Sequence, residues 1–308
     1  MPKTKTQKKK KATKTKRTTR KTKPRKIVKK KKEKSHFRMS WSILWQNSLT
    51  FLVAQIIAGI TAVFLFAKRG FEVAPEPVPW YYFLTSFIIA TLFIVLAIRF
   101  LRGGRFFILI FYFVIVLGAF TVFQTVMPFE LALAVALIIL ILRLTVPQIW
   151  SHNVALIFGL AGLSASIGLD LKPLGVVIIL VILSIYDYIA VYRTKTMVKM
   201  FKGLLSRGII FSIVIPEHAH NWFVDLKKVK PKEGFMFLGT GDIALPMIFA
   251  ASVISTNVIS AALIILGSLI GVMTIHILFA IQKKRSPMPA LPPIAFFSIL
   301  GYLISLYL

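Results

Sequence analysis

Cysteine is absent from the chain. That excludes a disulfide framework, a thiolate nucleophile and a thiolate metal site. Acidic side chains are scarce, 10 against 39 Lys and Arg, which leaves a formal charge of +29. The first forty residues have almost no large apolar side chains. Between Lys3 and Arg38 lie 20 of the basic residues and a single acid, Glu33. Such a composition cannot bury a core, so 1–40 is expected to be a disordered basic cytoplasmic tail. A cleavable signal is not expected, because a long polar stretch precedes the first full-length apolar run. The tail is expected to contact anionic lipid headgroups. Nucleic acid is not an expected partner, since neither aromatic interleaving nor a folded module accompanies the charge.

The remainder is strongly apolar. Hydrophobic residues make up 57% of the chain and the mean hydropathy is +0.78, too much apolar surface for a soluble domain. Apolar runs at 43–67, 81–98, 106–126, 129–145, 152–169, 174–192, 240–256, 258–281 and 289–308 predict nine spans. The third and fourth are parted only by Met127-Pro128, and the seventh and eighth by little more than Asn257. Loop charge sets the orientation. With the tail inside, the inner loops hold Arg99, Arg102, Arg105, Arg143, nine basic residues from Arg193 to Lys232, and Lys283, Lys284 and Arg285. The outer loops hold only Lys68, Arg69 and Lys172. The expected fold is an all-α polytopic membrane protein of nine transmembrane helices, six plus three. Its N-terminus would be cytoplasmic and its C-terminus outside. The expected parts are the tail 1–40, a six-helix part 41–192, a cytoplasmic loop 193–239 and a three-helix part 240–308. Within the loop, Gly208 to Pro216 and Gly234 to Leu238 read as short strands or interfacial segments.

Two aspartates interrupt the apolar pattern, Asp187 within the sixth span and Asp242 at the start of the seventh. A carboxylate in a bilayer costs about 2.5–3.5 kcal/mol even on the lenient insertion scale, so each is a functional candidate. Asp187 precedes Arg193 by six residues, about 9 Å of helix. Asp242 falls within the first turn of an antiparallel neighbour, which puts both carboxylates at similar depth below the inner membrane surface. Two carboxylates sharing a site cannot both ionise cheaply, and such a pair holds one proton. That state suits hydrolysis: one carboxylate deprotonates a water and the protonated partner donates to the scissile carbonyl. No metal and no cofactor are expected. Gly239 and Gly241 relieve steric limits where the chain enters the membrane. Pro246 leaves the Asp242 carbonyl without its helical donor four residues on.

Tyr186-Asp187, then Gly239-Thr240-Gly241-Asp242, then Pro289-Ala290-Leu291 resemble the Tyr-Asp, Gly-x-Gly-Asp and Pro-Ala-Leu signatures of presenilins and signal peptide peptidases. Those are nine-span intramembrane aspartyl proteases, and the resemblance covers about residues 41–308. Val191, Tyr192, Thr194 and Met197 after Asp187 look like the archaeal homologues, which implies a prokaryotic cell membrane. Ile243 and Pro246 look closer to signal peptide peptidases, and Pro292 after Leu291 closer to presenilins. Thr240 replaces the usual leucine of eukaryotic members.

The resemblance implies that Asp187 and Asp242 are the catalytic dyad. Tyr186, Gly239, Thr240 and Gly241 would support the active site. Pro289, Ala290 and Leu291 would pack against the dyad and shape the substrate site. It implies transmembrane helical substrates, cleaved after local unwinding and added as a strand before the seventh span. An inside N-terminus favours substrates whose own N-termini lie outside. An oligomer is left open. Two rival readings are a prepilin-peptidase-like protease and an ion- or proton-coupled transporter or leak channel. The Pro-Ala-Leu motif in the ninth span and the burial of Asp187 weigh against the first. The lack of an inverted repeat and of further intramembrane charges weighs against the second.

Four other features have simpler readings. Glu217-His218-Ala219-His220 reads as a solvated loop, His276 as a hydrogen-bonded packing residue, and Glu130 and Asp170 as interfacial. Gly267 and Gly271 mark a close helix contact.

Overall fold

The structure, a computed structural model, describes residues 41–69, 79–100, 105–193, 210–229, 234–282 and 288–308. The tail expected at 1–40 lies outside them, as do most of the loop cations that set the expected orientation. Helices α1 (Trp41–Arg69), α2 (Trp80–Phe100), α3 (Arg105–Gln124), α4 (Phe129–Thr145), α5 (Ile149–Leu169) and α6 (Pro173–Tyr188) come first. A π-helical turn, Ile189–Arg193, continues α6. Strands β1 (Ser212–Pro216) and β2 (Phe235–Gly239) follow, then α7 (Thr240–Ser252), α8 (Val258–Ile281) and α9 (Leu291–Ser305). Among the described residues, five helices are long and apolar enough to cross a membrane: α1, α3, α5, α6 with its π turn, and α8. Outward faces carry exposed large apolar residues such as Leu109, Phe113, Leu131, Ile138, Leu266 and Ile270. Apolar exposure on that scale is satisfied by lipid, not water.

The two narrow breaks have identifiable causes. After α3 the chain turns through 125–127, and Pro128 stands as the N-cap of α4. Asn257 caps α8, its Oδ1 accepting from the Ile259 N–H at 2.9 Å. The seventh span is shorter than the sequence implies. It was expected to run to 256, yet α7 stops at Ser252 and the chain turns through 253–256. Thirteen residues make only about 20 Å of helix, so α7 is lodged among other helices rather than spanning by itself. Ten of them are buried, from Asp242 and Ile243 to Ser252.

In lipid no hydrophobic force drives helix on helix, so close packing must do so, and small residues permit it. Helix α5 is the most buried span and packs against α1, α3 and α7. A Cβ on Gly118 would stand 1.8 Å from the Gly159 carbonyl, and one on Gly162 1.9 Å from the Gly118 carbonyl. Helices α8 and α9 meet in the same way. A Cβ on Gly267 would lie 2.1 Å from the Phe297 carbonyl, and one on Gly271 2.6 Å from Ile294 Cα. The Gly-x-x-x-Gly spacing is a helix contact, as expected. Arg69, the last residue of α1, pairs with Asp170, just after α5, at 2.6 Å, with both side chains partly exposed.

The two loop segments form one antiparallel hairpin, Ser212 opposite Gly239 through Pro216 opposite Phe235. Gly234 begins the return strand at φ 84, a left-handed conformation suited to glycine, and its carbonyl accepts from the Glu217 N–H at 2.8 Å. β1 is buried throughout, packed against the N-terminal part of α5.

Candidate active site

Asp187 stands in the last turn of α6, just before the ladder widens into the π turn. Such widenings occur often at functional sites. The aspartate is 8% exposed. Its Oδ2 accepts from the Leu291 N–H at 3.3 Å, and the Ala290 N–H also bonds the carboxylate. Ala290 is the N-cap of α9 and Leu291 its first residue. Pro292 and Pro293 follow and have no N–H, so Ala290 and Leu291 provide the free donors of that helix end. The positive end of the helix dipole thus faces Asp187.

Asp242, also 8% exposed, is the third residue of α7. The N–H of Gly239, the N-cap, donates to its carboxylate. A third-position carboxylate reaching back to the N-cap amide is half of a capping box. A Cβ on Gly239 would stand 2.9 Å from Asp242 Oδ2, so glycine there gives the carboxylate its room. Helix α6 packs on α7, α9 packs on both, and the Asp187 carboxylate lies within electrostatic range of Asp242. Each carboxylate is therefore held at a helix N-terminus, Asp242 at its own and Asp187 at that of α9.

The other candidates divide. Leu291 is 4% exposed and Pro289 is buried, and Ala290 and Leu291 touch Asp187 through their backbones. Thr240 is half-buried in the first turn of α7. Gly241 is exposed, and nothing lies within 4 Å of where a Cβ would stand. A side chain at 239 would push on the Asp242 carboxylate, whereas one at 241 would meet nothing. Tyr186 is 48% exposed, and among the described residues no hydrogen bond joins it to either carboxylate.

Gln55 of α1 has a place the sequence reading missed. It is fully buried, and its Nε2 donates to the Ile243 carbonyl at 3.3 Å, one residue beyond Asp242. Its Oε1 has no partner among the described residues. A lone amide in the middle of an apolar span is the same signal that singled out the aspartates. His276 is hydrogen-bonded, as expected: the Asn47 amide lies 2.6 Å from its Nε2. His218 and His220 stack with ring centroids 5.6 Å apart. Among the described residues no group of three or more metal-ligating side chains occurs.

The fold has counterparts among solved structures. The structure resembles a presenilin family intramembrane aspartate protease solved in the C222 space group. The TM-score is 0.60 and the identity 25%, over 86% of this chain and 98% of that one. The P2 form of a presenilin family intramembrane aspartate protease gives 0.59 and 24%, over 84% and 96%. No curated protein matches this chain. The family described as signal-peptide peptidase, presenilin aspartyl protease matches residues 48–308, most of the length, and the chain belongs to it.

Proposed function

We propose that Asp187 and Asp242 are the catalytic dyad of this intramembrane aspartyl protease, which has the Gly-x-Gly-Asp form of that chemistry. The observation that carries the reading is the placement of two buried carboxylates on adjoining helices, each held by backbone N–H groups at a helix N-terminus. One ionised carboxylate takes a proton from water as the oxygen attacks the scissile carbonyl. The protonated carboxyl donates to the carbonyl oxygen. Collapse of the tetrahedral intermediate breaks the C–N bond: the carboxyl that took the water's proton passes it to the leaving amine, and the other carboxylate recovers its proton from the intermediate's hydroxyl. Fixed carboxylates lower the reorganisation such a sequence requires.

The substrates of this reading are transmembrane helices. A helical peptide bond is shielded by its own hydrogen bonds, so the cut segment must first unwind. β2 runs directly into Gly239 and Asp242, which supports strand addition beside it as the way an unwound segment is held. Thr240, Gly241, Tyr186, Pro289, Ala290 and Leu291 border the same region. Nine spans with the N-terminus inside remain the proposed topology, in an archaeal-type cell membrane. The basic tail would rest on anionic headgroups.

Reconstituting the protein with a transmembrane peptide tests the dyad. Wild type is expected to cleave, and Asp187→Ala and Asp242→Ala to lose cleavage entirely. Retained cleavage in either variant sinks the mechanism, as does proton-driven solute flux without any cleavage.

A further inference from the structure

The hairpin that leads into Asp242 is fastened to the membrane core by two side chains outside the dyad. Asn153, in the second turn of α5, is 1% exposed. Its Nδ2 donates to the Val214 carbonyl at 2.7 Å, and its Oδ1 accepts from the Val214 N–H at 3.0 Å. One side-chain amide thus occupies both polar groups of a strand residue, as a neighbouring strand would. His152 is fully buried, with Nε2 3.1 Å from the Ser212 carbonyl. A carbonyl only accepts, so Nε2 carries the proton and Nδ1 is left as the acceptor. Nδ1 receives the Arg143 Nε–H at 3.1 Å, which agrees with that tautomer. The ring also stacks against Phe111, with centroids 5.9 Å apart.

Ladder parity makes this fastening specific in register. In an antiparallel pair, residues alternate between those bonded to the partner strand and those facing away. Glu217 bonds Gly234, so Ile215 and Ile213 share its parity and face β2. Val214 and Ser212 face the other way, and these are the two residues that Asn153 and His152 hold. A slip of one residue would turn the bonded groups of β1 away from α5 and exchange every side chain between faces. The fixed register then runs from β1 to β2 and ends at Gly239, whose N–H holds Asp242.

We propose that His152 and Asn153 are positioning residues that set the register of this hairpin and thereby select which peptide bond of a substrate reaches the aspartates. This rests on the protease reading above and on a substrate segment lying beside β2. The role differs from general support of the fold. Loss of stability alone lowers the amount of product, whereas a shifted register changes which product is made.

The test is mass spectrometry of the peptides released from one transmembrane substrate by the reconstituted full-length enzyme, with thermal midpoints measured alongside. In His152→Leu and Asn153→Leu the share of cleavage at the wild-type bond, relative to adjacent bonds, should fall about tenfold or more. That is the scale on which small misplacement acts. His152→Gln, whose amide can still donate to the Ser212 carbonyl, should keep the wild-type bond. Asn153→Leu strands two buried backbone groups, and if it does not fold, His152→Leu decides, since it strands one backbone acceptor, the Ser212 carbonyl, and the part-buried Arg143 Nε–H. Unchanged product ratios in the folded variants, with cleavage still dependent on Asp187 and Asp242, overturn the register role alone. Absence of wild-type cleavage overturns this role together with the reading it rests on.

Discussion

A carboxylate buried among apolar helices keeps a useful position only if something opposes its desolvation, and here backbone amides do so. Asp187 takes the N–H groups of Ala290 and Leu291, and Asp242 takes that of Gly239. Backbone donors cannot swing away as side chains can, so the carboxylates are held in place. The two glycines beside Asp242 should therefore respond differently to substitution. In Gly239→Ala the new methyl would meet Asp242 Oδ2 at 2.9 Å, and the carboxylate is the part free to move. The expected result is a loss of kcat of about 100-fold with little change in thermal midpoint, since misplacing a reacting group costs rate rather than packing. Gly241→Ala, with nothing within 4 Å, should leave the midpoint unchanged and keep most of kcat. Equal losses in both variants would show that backbone freedom, not the carboxylate, is what these glycines supply. The sequence placed both glycines in the site, but only the geometry separates their roles.

At the scale of elements, the site is assembled by α9 as much as by α6 and α7. The N-terminus of α9 carries the donors to Asp187, and α8 holds α9 in place through Gly267 and Gly271. Gly271→Ala puts a methyl 2.6 Å from Ile294 Cα, a backbone atom that can yield only if the helix moves. Overpacking of that kind costs about 1–3 kcal/mol. The thermal midpoint in detergent should drop, and kcat should fall as Ala290 and Leu291 retreat from Asp187. A stable variant with full activity would mean that α9 does not position the carboxylate. The spacing Gly-x-x-x-Gly was legible as a helix contact, whereas its link to Asp187 was not, because that link is made by backbone N–H groups a full helix away. β1 was legible from its β-branched content, and β2 as a short segment running into the Gly-rich turn before Asp242. Their pairing with each other, and the side chains of α5 that hold them, depend on contacts across long stretches of chain.

For the whole molecule, the absence of cysteine makes topology directly measurable. A single thiol introduced anywhere reports alone. Tyr307, 92% exposed near the end of the chain, and His220, in the exposed turn after β1, should lie on opposite sides of the membrane if the proposed orientation holds. A membrane-impermeant maleimide added to intact cells should label Tyr307→Cys and spare His220→Cys, which should react only after permeabilisation. Labelling of both before permeabilisation, or the reverse pattern, would remove the inside N-terminus and with it the substrate orientation it favours. The short α7 makes the count of crossings a matter for this experiment, since 13 residues surrounded by other helices carry no span-length signal.

Hydropathy and loop charge act residue by residue, and they suffice for the membrane class, the positions of the apolar helices and the two costly carboxylates. Motif order along the chain was enough to point to the family. The donors to each aspartate, the steric difference between Gly239 and Gly241, the placement of Gln55 against Ile243 and the hold of His152 and Asn153 on β1 belong to the tertiary structure. Each of these arises between groups far apart in sequence, most of them involving backbone atoms, which every residue carries alike and which only packing aims.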